Sequence, residues 1–111
     1  MKRLIALQLI IGLVLVSCTA NHYHDGKYKG RIFPDESTNG VFDAVFIING
    51  DEILEERYAI FGELLSKERL SCIQYQNTIE YSEGNGARRI VTVLEDGSLQ
   101  LSKSSILKKD Y

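Results

Sequence analysis

The residues best equipped for chemistry crowd into one short stretch, Cys18-Thr19-Ala20-Asn21-His22-Tyr23-His24-Asp25, which holds both histidines and one of the two cysteines of the chain. Imidazole suits zinc, copper and nickel, so His22 and His24 are the candidate metal ligands, with Asp25 as a further donor. A preformed metal site normally needs more ligands than these, held rigidly and oriented by outer hydrogen bonds. Two imidazoles one residue apart in a polar stretch fall short of that, and the competing reading is a pair of solvated histidines. Cys18 has three roles open to it: structural thiol, metal ligand with His22 and His24, or membrane anchor.

Elsewhere the chemistry thins out. Asp51, Glu52, Glu55 and Glu56 form the densest acidic cluster, but a calcium loop needs a spaced ligand pattern with a central glycine, and a solvated strand face explains them better. The glycines of Ser82–Arg89 (SEGNGARR) lack the Gly-Lys-Ser/Thr that a phosphate loop carries. Ser98 stands beside Asp96, yet both histidines lie far away in sequence, so a serine triad has no base. No set of residues takes the roles a catalytic site requires; the expectation is a protein that is not an enzyme, with no cofactor.

The elements that must position these residues begin with a leader. Lys2 and Arg3 precede Leu4–Val16, thirteen residues in which only Gln8 is polar, followed by the small or polar Ser17, Thr19 and Ala20. A basic start, a short apolar core and a small-residue exit are the parts of a secretory signal peptide. A membrane span takes about 20 apolar residues, and a core helix would carry a polar face. Leu15-Val16-Ser17-Cys18, directly after the apolar core, resembles the lipobox of bacterial lipoproteins. The resemblance implies cleavage between Ser17 and Cys18, a diacylglyceryl group on the Cys18 sulfur and an acylated new amine. Two or more acyl chains hold a protein stably at a membrane. Thr19, where an aspartate would retain an enteric-type lipoprotein in the inner membrane, points by the same resemblance to the outer membrane, facing the periplasm.

This divides the chain into a signal peptide over 1–17, a polar tether over 18–25 and a folded domain over 26–111. Of the 111 residues, 94 remain after cleavage, with 11 basic against 15 acidic side chains, a net charge of −4. Nucleic-acid binding calls for clustered lysine and arginine, and that partner class is excluded. A lipidated Cys18 cannot form a disulfide, so Cys72, in the strand-like Arg69–Tyr75, is read as a small buried hydrophobe.

The domain reads as strands throughout. In Gly26–Phe33 (GKYKGRIF), Tyr28 and Ile32 alternate with Lys27, Lys29 and Arg31, the period of a half-buried strand. Residues 34–40 form a polar loop. Val41–Gly50 (VFDAVFIING) is apolar enough to be buried on much of both faces, and Asn49-Gly50 is expected to form a two-residue hairpin turn. Residues 52–68 alternate as a strand and also carry a helical stripe; strand is expected for 52–60 and a short helical or irregular turn near 62–68, because Gly62 weakens a continuous helix by about 1 kcal/mol. Leu70–Ser82 reads as two short strands, with Gln76-Asn77 as the turn, or as one bent strand. Two further runs flank Asp96-Gly97, and a closing strand follows from Lys103. Six to eight short antiparallel strands in sequence predict an all-β meander closing into a lipocalin-like barrel or half-barrel.

The opening Gly26–Pro34 followed by a loop and an apolar strand is similar to the N-terminal barrel of copper-tolerance and envelope-stress lipoproteins, which supports that architecture. Their Cys-x-x-Cys is absent; Asp35, Glu36, Ser37 and Thr38 occupy its neighbourhood, so no metal or redox role carries over. Ser82-Glu83-Gly84 resembles the Ser-x-Gly loop of lipidated lysozyme inhibitors, without their disulfides or lysine-bearing second motif. Tyr28, Phe42, Phe46, Tyr58, Tyr75 and Tyr81 fall in predicted strands and should be mostly core. The expected function is binding of an envelope protein partner by an anchored β-domain. The alternative is a carrier of a small ligand or metal, whose mark would be an apolar cavity lined by Phe42, Phe46 or Tyr58.

Overall fold

The computed structural model describes residues 20–33 and 40–110; the leader, Cys18 with Thr19, and most of the first polar loop lie outside them. Eight strands, β1 (Gly26–Ile32), β2 (Phe42–Asn49), β3 (Glu52–Tyr58), β4 (Leu64–Gln74), β5 (Thr78–Ser82), β6 (Arg88–Val93), β7 (Leu99–Ser102) and β8 (Ser105–Lys109), follow one another as an antiparallel meander. β8 returns to β1 and closes the barrel. The expected all-β barrel is what forms, with no helix among the described residues.

Alternation places one set of side chains inside. Tyr28, Ala44, Phe46, Ile48, Ile53, Leu70, Cys72, Ile79, Tyr81, Val91, Leu99 and Leu107 make one buried cluster. Phe46 and Tyr81 meet edge to face at 5.7 Å, the arrangement the ring quadrupoles favour. Burying side chains of this size stabilises by about 1.5–3 kcal/mol each. Gly30 is required by close approach: a Cβ there would fall 2.1 Å from the Ile106 carbonyl oxygen, so only glycine lets β1 lie against β8.

Three connections share one chemistry. In Ala59–Glu63, Glu83–Ala87 and Leu94–Ser98, the first residue's N–H donates to the last residue's carbonyl, and the fourth residue's N–H to the first residue's carbonyl. The fourth residue is Gly62, Gly86 or Gly97, each with φ between 87° and 96°. This is the three-residue hairpin loop, a type I turn closed by a left-handed glycine. Gly62 thus reverses the chain, and β4 starts at Leu64, where a helical or irregular turn was expected. The first hairpin also differs from expectation by one residue: Asn49 pairs with Glu52, so the turn is Gly50-Asp51 rather than Asn49-Gly50. Gly50 is held there because its N–H and carbonyl both bond to groups at that end of the barrel.

Candidate functional site

The barrel's two ends differ, and the difference comes from which residues each strand sends there. The lower end carries the Gly50-Asp51 turn, Tyr75–Asn77 and Leu94–Ser98. There Gln74, 1% exposed, is the last inward residue of β4. A buried amide left unbonded is costly, and Gln74 finds partners for both its ends. Its Nε2 donates to Asp25 Oδ1 at 2.8 Å and to Gly50 O at 2.9 Å. Its Oε1 accepts the His24 N–H at 2.5 Å. Asn21 Nδ2 donates to Gln74 O at 2.9 Å, and Tyr28 OH to His24 O at 2.8 Å.

Asn21–Asp25, read from sequence as a free tether, is therefore seated against the barrel and closes it. Polar residues without periodicity look like linker; the overlooked signal was Gln74 itself, an amide in the inward register of Leu70 and Cys72. The candidate metal ligands are drawn into the same closure. His22 Nδ1 lies 2.6 Å from Asp25 Oδ2. His24 Nε2 faces the carbonyls of Tyr75 and Gln76 at 2.8 and 3.0 Å, an arrangement that requires its proton on that nitrogen. The two rings do not converge, and among the described residues no group of three or more His, Cys, Asp or Glu gathers as a metal site. Burial pushes the Asp25 carboxyl up, but hydrogen bonds from Gln74, Gly50 and His22 outweigh it and hold the group below its ordinary 3.8.

Cys72 lies just above this closure, reduced and buried, with its thiol 3.5 Å from Gly50 O. Burial first, then the charges of Asp51, Asp25 and Glu52, push its pKa up to about 11. A thiol so protonated is a poor nucleophile, which agrees with the reading of a buried structural cysteine.

Among the described residues the upper end is open. A cavity of about 610 Å³ occupies the mouth, walled by Ile32, Phe42 and Leu101 and by Glu55, Arg57, Tyr81 and Arg89. Its floor is the packed core, so the mouth does not continue down the barrel. Glu55, 6% exposed, accepts a bond from Arg57 Nε at 3.1 Å, and Arg57 lies over the Phe42 ring at 4.9 Å. Arg89 Nε donates to Glu83 Oε1 at 3.0 Å. Burial first, then Glu55 and Glu83, raise the Tyr81 hydroxyl to about 12 against the pull of Arg89 and Arg57. Ser102 Oγ is buried without a hydrogen-bond partner among the described residues. These are opposed charge pairs over an apolar floor, suited to receiving charged side chains. Both histidines are at the other end, so no serine of the mouth has an imidazole base.

Beside the mouth stands the β3–β4 hairpin, whose tip is apolar and in water. Phe61 is 93% exposed, and Ile60, Leu64 and Leu65 are each about half exposed. Phe46 is core, Phe42 borders the mouth and Tyr58 lies on the outer wall bonded to Glu56 at 3.1 Å; the three do not line one chamber. Tyr75 is exposed rather than core. The sequence could not single out Ile60-Phe61 because they sit in the stretch that read equally as helix. Comparison of the chain with family models, with characterised proteins and with solved structures finds no match.

Proposed function

We propose that this chain is a lipid-anchored lipoprotein of a bacterial envelope, not an enzyme, whose barrel binds a protein partner through its open end. The observation that carries the reading is the apolar tip, Ile60-Phe61 with Leu64-Leu65, held in water at the end opposite the N-terminal segment. Exposed apolar clusters rimmed by charge mark interaction surfaces. An anchor on Cys18 puts the membrane on the closed-end side, and the open end then faces the periplasm. The packed core favours this reading over a carrier with a deep cavity. Thr19 after the lipidated cysteine favours the outer membrane.

A photo-crosslinking residue in place of Phe61, in intact cells, tests the partner. One discrete protein adduct is expected; lipid and a scatter of neighbours alone would overturn the reading. The mass of the mature N-terminal peptide, with Cys18→Ser as control, tests the anchor: an unmodified Cys18 removes it.

The mouth cavity supports a second reading, a carrier of a small charged ligand held between Arg57 and Arg89 over Phe42. Saturable binding of a periplasmic extract component that Arg89→Ala abolishes, with no adduct at Phe61, would favour it.

A further inference from the structure

The β3–β4 hairpin outruns its neighbour. β4 has eleven residues and pairs with β3 from Leu64 to Ser71, but its pairing with β5 covers only Cys72–Gln74. β5 has five residues, and the Glu83–Ala87 loop that follows extends no ladder along β4, though the Glu68 carboxylate lies against Gly84. Leu64–Arg69 therefore has β3 on one side and no strand on the other among the described residues. All six are exposed, including Ser66 and Glu68, which point to the face that buries Leu70, Cys72 and Gln74 lower down.

The ladder's parity tells which backbone groups face the open side. Cys72 N–H donates to Asp51 O, toward β3, and Tyr75 N–H donates to Thr78 O, toward β5. Bonding direction alternates along an antiparallel strand, so Lys67 and Arg69, in step with Tyr75, turn their N–H and carbonyl groups away from β3. Such an edge is a template for another strand.

Charge decides the occupant. In a two-fold pairing with a second copy, the registers that bond both residues' groups within Leu64–Arg69 set Lys67 opposite Lys67 or opposite Arg69, and like charges directly opposite are destabilising. Acids balance both cations on the β3 side, Glu56 at 3.7 Å from Lys67 and Glu52 at 2.6 Å from Arg69. The cations are left outermost, 56% and 74% exposed at the side chain, on the outer face of the open edge. Leu65 and Phe61 continue that edge toward the tip.

We infer that the edge Leu64–Arg69 receives an extended segment of a protein partner by strand addition. The segment carries acidic side chains at alternate positions opposite Lys67 and Arg69, with an apolar residue toward Leu65. This rests on the reading that the open end binds a protein, and names how it does so.

The test uses the full-length chain in detergent and a capped octapeptide, Val-Glu-Val-Glu-Thr-Val-Thr-Val, whose two glutamates and following valine share the face opposite Arg69, Lys67 and Leu65. Amide exchange at Lys67 and Arg69 should slow by about ten-fold or more, and a lysine–valine peptide should leave it unchanged. Lys67→Pro removes an edge donor and no backbone bond to β3, and with it only the partly exposed ion pair to Glu56, which contributes little, so the variant should nearly keep its unfolding midpoint and lose the slowing at Arg69. Unchanged exchange at millimolar peptide, equal protection by a backbone N-methylated peptide, or protection by the chain's own concentration without peptide would each overturn the proposal. In cells, a Phe61 adduct of wild-type yield in Lys67→Pro overturns strand addition and leaves open-end docking standing. Absence of the adduct in the wild-type chain removes the docking reading itself.

Discussion

Gln74 and Asp25, 49 residues apart, are joined by a 2.8 Å hydrogen bond that closes one end of the barrel. Through it the polar segment leading into β1 becomes part of the fold, and among the described residues the other end is left as the free surface.

Replacing Gln74 by leucine removes one partner each of Asp25 and Gly50 O, and the acceptor of the His24 N–H, together. Each buried group left unbonded costs about 1–3 kcal/mol, part of which water recovers at this half-open end. A loss of about 2–3 kcal/mol is expected by urea unfolding, with faster exchange of the His24 amide.

Acid should release the same segment. The folded value of the Asp25 carboxyl lies below its ordinary 3.8, so its contribution is complete above that pH and is lost as pH falls through the folded value. Amide shifts of Asn21 and His24 followed from pH 5 downward should move together below about 4. A transition centred near neutrality would contradict this origin.

Base should act on Cys72. Its pKa rises from 9.0 to about 11 on folding, so its contribution is complete below 9.0 and is lost as pH rises from 9.0 to about 11. Alkylation by iodoacetamide at pH 7.5 should proceed only at the rate of unfolding, and Cys72→Ala should flatten the stability profile in that alkaline window.

Arg57→Ala strands the buried Glu55 carboxylate. Breaking a fully buried pair costs about 3–5 kcal/mol. Arg57 is 41% exposed, and solvent screening reduces the expected loss to about 1–3 kcal/mol. Glu55→Gln with Arg57→Ala should restore part of it, read in a double-mutant cycle.

Gly62→Ala tests the loop that launches the hairpin. A Cβ at Gly62 meets nothing within 4 Å, so its cost is the left-handed backbone alone, φ 96°, about 1–2 kcal/mol. Gly62→Asn should lose less, since asparagine tolerates that region better. Phe61→Ser, by contrast, should leave stability unchanged and, with the photo-crosslinking residue placed at Leu65 instead, abolish the adduct.

Much of this architecture was legible. Tyr28 alternating with Lys27 and Lys29 reads as a half-buried strand because a pleat points successive side chains to opposite faces. Asp96-Gly97 reads as a hairpin because a left-handed glycine closes it. The stretch after Gly62 was misread because Leu64-Leu65 satisfy a helical stripe and an exposed strand end alike, and only the pairing of β3 with β4 separates them. Mouth residues Glu55, Arg57, Tyr81 and Arg89 come from four positions on three strands, and no local pattern gathers them.

By itself, then, the sequence determined the strand periods, the Asp96-Gly97 hairpin, the all-β class and the lipobox-like start, because each depends on residues adjacent in the chain. Only the tertiary structure decided that His22, His24 and Asp25 join a closure around Gln74 and that β4 keeps an open edge. Those outcomes depend on closing the barrel: it fixes which side chains face one another across the interior and how far each strand outlasts its neighbour.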